Sequence, residues 1–143
     1  RSHRAVGLGA QKRRRLMSME EYDRFGAMKL YFHQIYELKK GVRHLVLCTM
    51  SGDCARLLID RLESQHIDYV EQPAGAGKVN LYFGRRQCLD VVRHFIAKPL
   101  HRLTPEEDFM LGVMLGYDLT MQCKRFCNRR SATFTEPSLA AAW

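Results

Sequence analysis

At 143 residues and 46% apolar side chains, the chain can build one domain with a real core and is too apolar for a disordered polymer. No run approaches the roughly eighteen continuous apolar residues of a membrane helix, and the cationic start lacks the apolar stretch of a secretion signal. The formal charge of +8 points to nucleic acid until it is divided. Residues 1–27 hold seven Lys/Arg against three acids, residues 28–127 hold fourteen against eleven, and the last sixteen hold two against one. Half of the excess sits in the first segment, chiefly in Lys12-Arg13-Arg14-Arg15. That run reads as a solvated tail rather than a phosphate-binding element, and nucleic-acid binding through the basic arm is kept as an alternative. Arg1 in place of a methionine fits a fragment or an over-extended reading of a gene, with Met17, Met19 and Met28 as other starts. Five cysteines without an export signal favour reduced thiols and a cytoplasmic location.

Residues 1–27 show no sustained period beyond a short turn at Met19–Phe25, and read as a basic disordered arm. Leu30–Tyr36 is aromatic and β-prone, so a first strand is expected there, turning at Lys39-Lys40-Gly41. Leu45–Cys48 is apolar on both faces, as in the middle of a sheet. Ser51, Gly52 and Asp53 open a helix whose stripe is Cys54, Leu57, Leu58 and Leu62. Ile67–Glu71 reads as a strand, Pro73–Gly77 as a turn, and Val79, Leu81 and Phe83 as the one apolar face of another strand. Gly75-Ala76-Gly77-Lys78 is a hairpin rather than a phosphate loop, lacking the spaced first glycine and the Ser/Thr after lysine. Cys88, Val91, Val92, Phe95 and Ile96 form a second helix, stopped by Pro99.

Thr104-Pro105-Glu106-Glu107 is a helix start with every part in place: a cap, a first-position proline and a returning carboxylate. This helix should reach Leu115, break at Gly116 and restart from a cap at Asp118, over Leu119 to about Asn128. Residues 129–143 read as a flexible tail. The fold expected is therefore α+β in one domain, residues 28–128: a four-stranded, mostly antiparallel sheet with helices on one face (ββαββα, a permuted ferredoxin-like order) plus a C-terminal helical pair.

The run Thr104–Gly112, with Leu115-Gly116-Tyr117-Asp118 and Gln122-Cys123, resembles an uncharacterised bacterial family, the domain of unknown function numbered twenty twenty-three. Gly41-Val42-Arg43 before Leu45-Val46-Leu47, and Asn80–Gly84, resemble its earlier blocks. The likeness spans about Met28 to Asn128. It implies no catalytic residue; through neighbouring flavodoxin genes it implies a place beside flavodoxin-type electron transfer, by association.

No constellation defines a reaction. Cys123 and Cys127 share a helix face but have no further ligand at metal spacing, so no metal and no cofactor is expected, and ordinary thiols are the plainer reading. Glu106, Glu107 and Asp108 occupy a first helical turn, where acids are stabilising without any catalytic role. Tyr117 and Asp118 lie at the glycine break. Asp118 is most simply an N-cap and Tyr117 most simply a cover for the end of the core; both could also present a hydroxyl and a carboxylate to a partner. The reading carried forward is a small cytoplasmic accessory protein, not an enzyme, acting by protein–protein contact. Its candidate surface is Glu106, Glu107, Asp108, Tyr117, Asp118, Gln122, Cys123 and Arg125. The partner class is an acidic flavoprotein, steered by Arg85, Arg86, Arg93 and Lys124; the alternative is a thiol-based redox enzyme or carrier using Cys123 or Cys127.

Overall fold

The apolar runs at Leu45–Cys48 and Val79–Phe83 pair with each other in a computed structural model that describes residues 19–134. Strands β1 (Leu45–Ser51), β2 (Asp68–Gly75) and β3 (Lys78–Gly84) make one three-stranded sheet in the order β1-β3-β2, with β3 antiparallel to both neighbours. The helices, in chain order, are α1 (Met19–Lys40), α2 (Gly52–Ser64), α3 (Arg86–Arg93), a 3-10 turn at Leu100–Arg102, α4 (Pro105–Met114) and α5 (Leu119–Phe134). The chain divides into two compact units, Arg1–His33 and Gln34–Trp143. The first contributes the beginning of α1; all other described elements belong to the second.

The α+β class is as expected, but the fourth strand is absent: Leu30–Tyr36 lies inside α1. Phe32, Ile35 and Leu38 are buried or half-buried at three-residue steps, the period of a helix. That spacing outweighs the β-preference of the aromatic side chains, which depends strongly on context. The order β1-β3-β2, with α2 crossing between the two edge strands, is a β–α–β unit split by a third strand. The permuted closure expected of Leu30–Tyr36 does not occur, because that segment is helical.

Helices cover the sheet on two faces rather than one. Leu45 and Tyr82 join Leu89 and Val92 of α3 with Leu111 and Leu115 in one core cluster. Leu81 and Phe83 alternate with Tyr82 and are equally buried, while Ala55, Leu58 and Leu62 of α2 are buried outside that cluster. β3 is thus apolar on both sides, although its neighbours in sequence suggest one apolar face. Gly84 ends it at φ 147°, where a side chain would collide with the His44 carbonyl.

A buried polar knot fixes the chain after α3. The Gln72 side-chain amide donates to the carbonyls of Ile96 and Lys98, both at 2.7 Å. Its oxygen accepts from Asn80 Nδ2 at 3.0 Å and from the Tyr82 hydroxyl at 3.3 Å. Thr49 in turn donates to Asn80 at 2.6 Å. These bonds satisfy the buried Gln72 and Asn80 side chains, and they set the strap that leads into α4.

Candidate functional site

The first turn of α4 forms as its residues dictate. Thr104 Oγ1 accepts the Glu107 amide at 3.1 Å, and Glu107 Oε1 accepts the Thr104 amide at 2.9 Å, a complete capping box with Pro105 at the first turn. Lys98, delivered by the strap, donates to the same Glu107 oxygen at 2.7 Å. Lys98 first and the Thr104 amide second hold the Glu107 carboxyl below its ordinary range. At the other end, Gly116 at φ 77° lets its own amide reach the Val113 carbonyl and that of Tyr117 reach Gly112. This is a Schellman stop, after which Asp118 caps α5 through the Thr120 amide at 3.0 Å.

Helices α4 and α5 form a hairpin joined by charge as much as by apolar contact. Arg125 grips Asp108 with two donors, at 2.7 and 3.1 Å, and Arg129 approaches the same carboxylate at 3.3 Å. Arg125 is the main reason the Asp108 carboxyl lies below its ordinary range. Arg130 meets Glu106 at 2.6 Å, and Arg129 also donates to the Leu103 carbonyl at 2.8 Å. Phe109 and Phe126 meet at a tilt, 5.6 Å between ring centres and 54° between planes. Gly112 makes room for the Gln122 carboxamide, which would overlap a side chain there. Arg129 and Arg130 lie within α5 rather than in a flexible tail, and Lys98, which carries no motif of its own in the sequence, joins the site through Glu107. The four-residue step from Arg125 to Arg129 was the legible signal, since it puts both on one helix face.

A cleft of about 430 Å³ opens between β1, the 3-10 turn and this hairpin. Leu47, Leu103, Leu111 and Leu115 give it apolar walls. His101, Asp108, Tyr117, Gln122 and Arg125 supply the polar ones. Four of the eight candidate residues (Asp108, Tyr117, Gln122 and Arg125) thus converge on one feature. Glu106, Glu107, Asp118 and Cys123 do not line it; the first three are engaged in the contacts above.

Cys123 and Cys127 are exposed on α5, whereas burial pushes the Cys48 thiol up to about 12 and raises that of Cys88. No three His, Cys, Asp or Glu side chains converge on a common point among the described residues. Of the steering cations, Arg85 and Arg86 line one cleft with His66, Arg86 and Arg93 line a second with the same His66, and Lys124 lines none of these clefts. No described helix is long and apolar enough to cross a membrane.

The fold and the site together define a small α+β domain that carries an exposed helical hairpin with an apolar cleft at its base. The chain belongs to the family described as Protein of unknown function (DUF2023), whose model matches residues 29–129. That span agrees with the one read from the sequence blocks to within a residue at either end. No curated protein matches the chain.

Proposed function

We propose that the protein is a cytoplasmic accessory protein that works by holding a protein partner on the α4–α5 hairpin. One observation supports this most: α5 is a sixteen-residue helix in which none of the described side chains is buried. A helix normally gains its stability by burying one face. Here Leu119 and Met121 on α5, with Met110 and Val113 on α4 and Tyr117 between them, stay 43–59% exposed. Met and Tyr are side chains that interfaces favour, and the adjoining cleft is of a size to receive one apolar side chain from a partner.

The partner class is an acidic flavoprotein, which the family resemblance associates with this chain and which the mild positive charge of the folded part would steer. The test is a titration of the full chain with a flavodoxin, beside a tagged pull-down. Leu119→Glu and Met121→Glu should each weaken binding at least tenfold, the effect of one buried charge at an interface, at an unchanged melting temperature. Full binding by both variants would sink the reading. The thiol alternative rests on the exposure of Cys123 and Cys127, and one cysteine that alkylates far ahead of the others at neutral pH would favour it.

A further inference from the structure

We propose that the groove at the Gly84 end of the sheet binds a phosphate dianion, free or as the monoester of a small molecule. Two adjoining clefts, of about 380 and 440 Å³, share His66, Ile67, Asp68 and Arg86. The first adds Lys39 and Arg85, and the second adds Glu63, Tyr69 and Arg93. Each carboxylate in the groove is already engaged: Asp68 holds Arg86 at 3.4 Å, and Glu63 accepts the Tyr69 hydroxyl at 2.7 Å. Arg93 is drawn to Asp90 at 2.8 Å. Lys39 and Arg85 have no carboxylate partner among the described residues. Two uncommitted cations, one a guanidinium fork and one an ammonium, therefore face the same small cleft. That pairing suits a compact oxyanion with several acceptor oxygens.

His66 is the second observation, independent of the charges. It follows the end of α2 at φ 57°, donating its amide to the Glu63 carbonyl while that of Ile67 reaches Leu62. This is the position of a Schellman stop where glycine is cheapest, because a Cβ is strained in the left-handed region. His66 nonetheless places an imidazole on the lining of both clefts, where a ring N–H adds a donor for an oxyanion. Beside Lys39 and Arg85, the two cations without a carboxylate partner among the described residues, it gives the first cleft three donors of different kinds. A single-stranded nucleic acid would ask for aromatic faces along a basic track. The 380 Å³ cleft has none among its lining residues and is of small-molecule size.

The experiment is calorimetric titration of the full chain with inorganic phosphate and, separately, with glycerol phosphate, ionic strength being held constant with chloride. Saturable binding is expected, weakened about tenfold by Lys39→Ala and by Arg85→Ala, the usual loss on removing one charge-assisted contact. His66→Gly should weaken binding about threefold while raising the melting temperature, because glycine relieves the backbone. A merely structural His66 would show the second effect without the first. Tighter binding of the monoester assigns the adjoining cleft to the esterified part, and equal binding assigns the site to the free ion; either supports the proposal. It is overturned by the absence of saturable binding, by binding indifferent to Lys39→Ala and Arg85→Ala, or by retention of an oligonucleotide where phosphate does not bind.

Discussion

Strand β3 and helix α5 are opposite solutions within one domain. β3 buries Leu81, Tyr82 and Phe83 almost completely and is held by apolar area on two faces. α5 buries none of its described side chains and is held by a bidentate arginine, two further ion pairs, one aromatic contact and a glycine notch. Exposed ion pairs each contribute little, whereas each buried aromatic contributes several times more. The sheet therefore carries the stability, and the hairpin is left free to present side chains.

The largest expected effect is on the sheet side of that contrast. Phe83→Ala should cost about 3–5 kcal/mol, the sum of lost transfer energy and a cavity the sheet cannot close. Chemical denaturation would show it as a large fall in midpoint with little change in slope. A loss under about 1 kcal/mol would mean that β3 is not the centre of the core and would dissolve the comparison.

An intermediate effect is expected in the hairpin. Asp108→Asn should cost ~1 kcal/mol at neutral pH, because the Arg125 fork loses its charged acceptor. The folded carboxyl is depressed, so its contribution is present above the unfolded value near 3.9 and disappears as pH falls through the folded one. Melting curves of parent and variant should accordingly differ at pH 7 and converge as the pH is taken below about 4. A difference that persists in acid would assign the loss to packing rather than charge.

The same contrast governs what could be read in advance. Features encoded within a few residues were legible: the Thr104–Glu107 box, the Gly116 stop, the Asp118 cap and the Ser51 start all form. Leu30–Tyr36 was misread because its aromatic content favours a strand, while the deciding signal, Phe32, Ile35 and Leu38 at helical steps, is short. The two-sided burial of β3 depends on which helix crosses to which face, and nothing local to Val79–Phe83 encodes it. In the candidate site, acids and arginines meet across 17 to 24 positions of chain. The acids were visible as a first turn, but their partners Arg125, Arg129 and Arg130 only became partners through the angle of the turn at Gly116. Both clefts are tertiary too, drawing on Leu47 with Gln122, or Lys39 with Arg86.

The smallest effect expected belongs to Glu107, where the two regions touch through Lys98. Thr104→Ala removes the acceptor of an otherwise orphaned amide and should cost roughly 1 kcal/mol. Glu107→Gln differs, since glutamine keeps an oxygen for the Thr104 amide and loses only its charge toward Lys98 and the helix dipole. Lys98 does not depend on that charge for its position, because Gln72 already holds its carbonyl from the sheet. Lys98 is 45% exposed and Glu107 only 19%, so the pair is partly screened by water and the change should cost no more than about 0.5 kcal/mol. Whatever it does cost should vanish in acid, since the depressed Glu107 carboxyl stabilises above about 4.3 and ceases to do so as pH falls through its folded value. Glu107→Ala, which lacks the returning oxygen, should approach the cost of Thr104→Ala at every pH. If Glu107→Gln instead matches Glu107→Ala at neutral pH, the charge on Lys98 and not the cap is what joins the strap to the helix. The hairpin would then lean on the sheet through an ion pair, and the division between a stabilising sheet and a presenting hairpin would have to be redrawn at that point.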